Sequence, residues 1–194
     1  MSEIHVLRGA TFMREYRWGR APYIYKAISA ISKSAPARLT VTGHGLPNNW
    51  RAAVVGAQGM LEINAPSNPP AEAEYHKITV VDANTIDIND INSLPYGTYT
   101  ANSGVLVALT PVPLSGMKAR FTMVPDDPQS PNGYVVTEQT GIEIDSAAYV
   151  IKLKIDAKHT GNGPEMTGKF KFEMIDTDGV VTRLDSGVYK VTEY

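Results

Sequence analysis

The sequence predicts an all-β protein, a sandwich or barrel, and three observations carry that reading. Apolar and charged residues alternate with period two in several short runs. Clusters of Gly, Asp, Asn and Pro separate those runs at roughly the spacing of a strand and a turn. Helical periodicity is weak: only residues 25–31 carry a spacing compatible with one or two helical turns, and it is equally strand-like.

The clearest element lies near the C-terminus. Phe170, Phe172 and Met174 fall on one face of a strand, and Lys169, Lys171 and Glu173 on the other. Such alternation marks a sheet with one buried and one wet face. Asp178-Gly179 reads as a type I′ hairpin turn, because glycine accepts positive φ. Residues 180–184 form the return strand, Asp185-Ser186-Gly187 a second turn, and residues 188–191 a last strand. Further upstream, Ile151, Leu153 and Ile155 point inward while Lys152 and Lys154 point outward. Residues 116–124 form another strand, with Phe121 and Met123 inward. In the middle of the chain, residues 37–42, 51–55, 75–81, 85–88 and 105–109 read as five strands. Residues 126–133 read as an exposed loop, 156–164 as a polar, glycine-rich loop, and the proline-rich 64–73 as flexible or exposed.

Composition narrows the function. The chain has 194 residues, 43% of them hydrophobic and 20% charged, so it can bury a core. Its formal charge is -2, with no basic excess of the kind that nucleic acid or an anionic membrane surface selects. No run approaches the roughly 18 apolar residues of a spanning helix. The first eight residues lack the basic and apolar regions of a signal peptide. The expectation is a soluble protein made in the cytoplasm that binds neither nucleic acid nor membrane. With no cysteine, disulfides, thiolate metal sites and cysteine nucleophiles are excluded.

Catalytic signatures are missing as well. His5, His44, His76 and His159 are far apart in sequence and form no metal-ligating pattern. Residues 87–92 resemble a calcium loop only in their first positions; the central Gly and distal Glu are lacking. His44, between two glycines at a strand end, reads as a side chain that hydrogen-bonds the turn backbone. No catalytic residue, cofactor or metal is therefore expected.

Residues 34–46 (SAPARLTVTGHGL) are followed by 54–64 (VVGAQGMLEIN), then by Tyr75, 78–86 (ITVVDANTI), 96–100 (YGTYT) and Ser103-Gly104. This order resembles a small β-domain found in bacteriophage tail and virion proteins. That domain is named after the first catalytic cysteine half-domain of ubiquitin-activating enzymes, although a chain without cysteine has no such chemistry. The flanks resemble baseplate-type immunoglobulin-like domains, through residues 8–12 and 23–28, 113–121 (PLSGMKARF) and 168–191. Together the resemblances imply an immunoglobulin-like β-sandwich, residues 1–30 and 105–194, with a small β-barrel-like domain, residues 31–104, inserted in an early loop.

The function so implied is a non-enzymatic structural component of a bacteriophage virion: a tail, baseplate or tail-fibre attachment protein. Its partners would be other virion proteins and copies of itself in a homo-oligomer within the particle. The alternatives are a carbohydrate- or host-receptor-binding sandwich module and a capsid decoration protein. Candidate interface residues are Tyr16, Arg17, Trp18, Arg20, Tyr23 and Trp50, because Trp, Tyr and Arg dominate interface hot spots. Trp18 and Tyr23 read equally well as core or strand-edge residues, and Trp50 as a contact or as a cap on the small domain. The contact surface is expected to combine residues 13–25 with the proline-rich loop 64–73.

Overall fold

A computed structural model describes residues 2–127, 134–160 and 166–192. The chain is all-β: among the described residues the only helical pieces are three 3-10 turns, at Leu61–Ile63, Glu72–Glu74 and Ala157–His159. In chain order the strands are β1 (Ser2–Leu7), β2 (Phe12–Tyr16), β3 (Gly19–Ala27), β4 (Ala30–Ser32), β5 (Ala37–Thr40), β6 (Arg51–Val55), β7 (His76–Asp82), β8 (Thr85–Ile88), β9 (Val105–Pro111), β10 (Lys118–Pro125), β11 (Val135–Thr137), β12 (Ile142–Asp145), β13 (Val150–Ile155), β14 (Met166–Ile175) and β15 (Val181–Thr192). The segment with the ambiguous helical spacing is the end of β3 and the start of β4. No helix among the described residues is long and apolar enough to cross a membrane.

The chain divides into two compact units. The first joins Met1–Trp18 to Pro113–Tyr194, and the second is Gly19–Val112. The second unit is larger than the 31–104 segment that the resemblance implies. The reason is pairing: β3 runs antiparallel to β9, and β9 in turn pairs with β6. Both strands are therefore members of the inserted unit's sheet. Gly19 stands opposite Pro111, so the unit's two ends leave side by side.

The first unit is a sandwich of two sheets. One has the order β1-β15-β14-β10-β11 and the other β12-β13-β2. Their inward residues form one core: Phe121, Phe170, Phe172 and Tyr189 from the larger sheet meet Ile142, Ile151, Leu153 and Ile155 from the smaller. Alternation drives this. Ile151, Leu153 and Ile155 are buried, while Lys154 between them is exposed. Phe121 stacks on Phe170 with ring centroids 5.5 Å apart and meets Phe172 edge-on at 5.8 Å. The outward Glu173 is covered, because Arg120 Nη2 donates to its carboxylate at 2.8 Å.

Two turn expectations differ from the structure. Asp185-Ser186-Gly187 is not a turn: β15 runs unbroken for 12 residues, and a bulge opposite Phe172/Glu173 absorbs the irregularity. Gly187 serves a close approach instead. It pairs with Ser2 of the parallel strand β1, and a Cβ there would run into the Ser2 carbonyl oxygen. The Asp178-Gly179 hairpin is likewise not type I′. Gly179 N–H donates to Asp176 O, only Gly179 has positive φ (83°), and Asp176 N–H donates to Val180 O. This is a type I turn closed by a left-handed glycine, the three-residue hairpin loop.

The second unit is one seven-stranded sheet, in the order β3-β9-β6-β7-β8-β5-β4. Its core is mostly aliphatic, with Ile28, Leu39, Ile78, Ile86, Ile88 and Leu106 fully buried and Trp50 buried as well. Side chains that bind backbone hold its loops. Asn64 both accepts from Ala57 N–H (2.8 Å) and donates to Ala57 O (2.9 Å). Tyr99 Oη lies 2.8 Å from Ile28 O and 2.6 Å from Ser103 O.

Candidate functional site

The six sequence-derived interface residues separate between the two units. Tyr16 and Trp18 pack against the sandwich core. The Tyr16 ring meets Phe172 edge-on at 4.7 Å, with the Arg14 guanidinium 5.0 Å over its centroid. Burial pushes the Tyr16 phenol up to about 12, with the nearby Arg14 guanidinium working in the opposite direction. Arg17 makes a 3.4 Å contact with Glu15. These residues belong to the flank of the sandwich rather than to an open contact face.

Trp50 is a core residue of the second unit, 4% exposed, and so not an exposed contact. Its indole N–H donates to Leu109 O at 3.0 Å, tying β9 to the chain entering β6. A Cβ on Gly19 would lie 3.0 Å from the Trp50 ring and 2.8 Å from Leu109 Cβ, so the strand passes over the indole only because residue 19 is glycine. Of the six, only Arg20, which is exposed, and Tyr23, which is half-buried, remain on the outside of the second unit.

Tyr23 belongs to a cluster. β3 places Tyr23 and Tyr25 two residues apart, on one face of the strand. Tyr25 is 48% exposed, and its hydroxyl donates to Asn68 Oδ1 at 3.2 Å. Tyr75, which precedes β7, completes the group. Burial, reinforced by Tyr23 and Tyr25, pushes its phenol up to about 12. The Tyr75 oxygen is buried, and its interaction with the Tyr23 hydroxyl adds to the upward shift.

The proline-rich loop forms the rim of this cluster; it is exposed at residues 66–69, and hydrogen bonds tie it to its neighbours. Arg51 donates from Nη2 to Glu72 O (3.1 Å) and Tyr75 O (3.0 Å). Ser67 donates to the Glu74 carboxylate at 2.6 Å, and Ala71 N–H donates to it at 2.8 Å. These bonds, the Ser67 one foremost, hold the Glu74 carboxyl below its ordinary value. Ala65 N–H donates to Val54 O at 2.7 Å, anchoring the loop to β6. Residues 66–69 are exposed, and Pro70 is buried beneath them. Of the expected contact segment 13–25, Tyr25 meets the loop through Asn68, whereas residues 13–18 belong to the first unit. Tyr75, Arg51 and Asn68 escaped sequence reading because nothing local links positions 25, 51, 68 and 75; only the strand i, i+2 spacing of Tyr23 and Tyr25 was legible.

The titratable groups elsewhere are engaged structurally. His44 is buried; its Nδ1 accepts from Leu46 N–H (3.1 Å), so Nε2 carries the proton donated to Asp82 O (2.9 Å). Within the calcium-like segment, Asp87 forms a two-point pair with Arg38 at 2.7 and 2.9 Å, and Asp90 meets His76 at 2.9 Å. Among the described residues no three His, Asp or Glu side chains are grouped to hold a metal. No protein-family model matches the chain, and no curated protein matches it either.

Proposed function

We propose that this protein is a non-enzymatic structural component of a bacteriophage virion, in the tail, baseplate or fibre attachment, acting through protein–protein contacts. One observation carries the reading: the strand order of the sandwich together with the position of the guest. The sheets β2-β13-β12 and β10-β14-β15 follow the B-E-D and C-F-G groupings of immunoglobulin-like sandwiches. The second unit enters between the second and third sandwich strands, β2 and β10. An all-β guest in an early loop of such a sandwich is the arrangement that the virion-protein resemblance implies.

Contacts in a symmetric particle repeat from copy to copy, so they need a surface accessible on every copy. Strand β2 is an edge strand of its sheet and carries Met13, the most exposed large apolar side chain of the described residues at 69%. Lys152 and Lys154 on the neighbouring β13 keep the rest of that face polar. We assign the assembly contact to this edge. Cryo-electron microscopy of the parent phage is expected to show both units in repeated copies, in contact across β2. Met13→Glu is expected to lower incorporation about tenfold at unchanged thermal stability, since an exposed position tolerates charge when unassembled. Absence of the protein from purified virions would overturn the proposal.

A further inference from the structure

The geometry points to a second copy of this chain as the occupant of the free β2 edge, paired antiparallel about a two-fold axis at Met13. The inference rests on the contact assigned above to β2 and names its partner and its register.

Backbone phase decides which groups are on offer. In an antiparallel pair, residues bonded to the neighbour alternate with residues whose N–H and C=O point away from it. Lys154 N–H donates to Gly141 O at 2.7 Å, so the backbone groups of Lys154 and Lys152 point toward β12. Met13 and Glu15, which stand opposite Lys154 and Lys152, therefore turn their own N–H and C=O to the open side of β2. Among the described strands β2 pairs only with β13, so these groups are available to an added strand.

The same phase limits how a second β2 can add. Met13 and Glu15 must face each other or themselves, and a two-fold axis can then lie at any residue of the strand. An axis at Phe12 or Tyr16, the ends of β2, overlaps the two strands by a single residue. At Arg14 it sets guanidinium against guanidinium, and at Glu15 carboxylate against carboxylate; like charges directly opposite are destabilising. At Met13 it sets Met13 against Met13, Glu15 against Thr11 and Arg14 against Phe12, with no like charges opposed. The 69% exposed Met13 side chains then cover each other. Lys154 beside Met13 adds little repulsion: its Nζ is held by Asp156 at 2.8 Å, which leaves its aliphatic stem to flank the pair.

A head-to-tail arrangement fits less well. Strands β2 and β12 are both antiparallel to β13, so joining β2 of one copy to β12 of the next would make a parallel pair. With the sheet faces aligned, the residues of β12 on the outward face are Glu143 and Asp145. Glu15 would stand beside one of them. The two-fold pairing avoids this clash and gives one continuous six-stranded sheet.

The chain has no cysteine, so a single introduced thiol reports on the register without background. The test oxidises full-length Met13→Cys, Arg14→Cys and Glu15→Cys under mild conditions at high concentration. Each dimerisation rate is divided by the rate at which the same thiol reacts with a small disulfide reagent, which removes differences in exposure. Across the Met13 axis the Cα atoms at position 13 lie roughly 5.5 Å apart, within disulfide reach. Those at position 14 lie roughly 8 Å apart and those at position 15 beyond roughly 13 Å, both out of reach. Met13→Cys is therefore expected to couple at least about tenfold faster than the other two. Equal rates, or a fastest rate at position 14 or 15, would overturn the proposal. Sedimentation equilibrium gives a second reading: Met13→Glu should weaken dimerisation about tenfold, because it replaces an apolar pair by two opposed carboxylates. A wild-type chain that stays monomeric at the highest concentration it tolerates would also overturn it. Selective coupling at Met13 with no protein in purified virions would keep the dimer and end the virion reading. Protein present in virions without position-selective coupling would end the dimer alone.

Discussion

The two units reach the same secondary structure by different means. All four phenylalanines, Phe12, Phe121, Phe170 and Phe172, lie in the sandwich unit, where long strands alternate cleanly and aromatic rings fill the space between sheets. The inserted unit has none. Its strands run from three to nine residues, its core is mostly Ile, Leu, Val and Ala with Trp50 and Met60, and its loops are held by Asn, Ser, Tyr and His side chains bonded to backbone. Non-directional apolar burial stabilises the first unit, whereas directional bonds specify much of the second. The contrast makes each unit sensitive to a different kind of substitution.

The largest effect is expected in the sandwich. Phe172 is fully buried and touches both Phe121 and Tyr16 edge-on. Phe172→Ala should cost about 3–5 kcal/mol, from lost transfer energy and the cavity left behind. Hydrogen exchange should show the loss of protection in β10, β13 and β14, with β5 to β8 retaining theirs. Equal loss in both regions would mean that the two units unfold as one cooperative block.

The converse substitution is Ser93→Ala in the inserted unit. Ser93 is fully buried; its hydroxyl lies 2.9 Å from both Ser32 O and Ser34 O and accepts from Ser34 N–H at 3.0 Å. Removing it takes the partner from Ser34 N–H and a donor from Ser32 O, while Ser34 O keeps the Ser93 N–H, at a cost of about 1–3 kcal/mol. The exchange pattern should reverse, with protection lost around β4, β5 and β8. An alanine as stable as wild type would show that water replaces the hydroxyl, and that the directional bonds of this unit are less decisive than the aromatic core of the other.

The same contrast explains what the sequence revealed. Period-two alternation made β13 and β14 legible, because burial on one face of a strand is written directly into residue order. The unit boundaries were less legible, since β3 and β9 are joined by pairing across some 80 residues of chain and look locally like sandwich strands. Gly187 was misread for a related reason: a glycine needed for close approach by β1 carries the same letter as a turn glycine. Trp50 was misplaced because it follows Pro47-Asn48-Asn49, a loop-like run, while its partner Leu109 lies far along the chain. For the tyrosine cluster, the type and spacing of Tyr23 and Tyr25 were readable, but the arrival of Tyr75 and Asn68 depended on the whole sheet being assembled.

The smallest predicted effect tests whether charge matters in the aromatic unit. Hydrogen bonding from Arg120 lowers the Glu173 pKa below its ordinary value of 4.5, with burial working in the opposite direction. A carboxylate depressed in the folded state binds its proton more tightly when unfolded. Its stabilising contribution is therefore fully present above the unfolded pKa and is lost as pH falls through the lower folded value. Arg120 is 45% exposed, so solvent screens the pair, and Glu173→Gln should cost only about 0.5–1 kcal/mol at neutral pH. That deficit should shrink once pH drops below 4.5, until variant and wild type converge under acid conditions. Urea unfolding of both proteins between pH 7 and pH 3 measures it. A constant offset across that range would assign the effect to lost packing or hydrogen bonding at position 173 and remove ionisation from the account of this unit's stability.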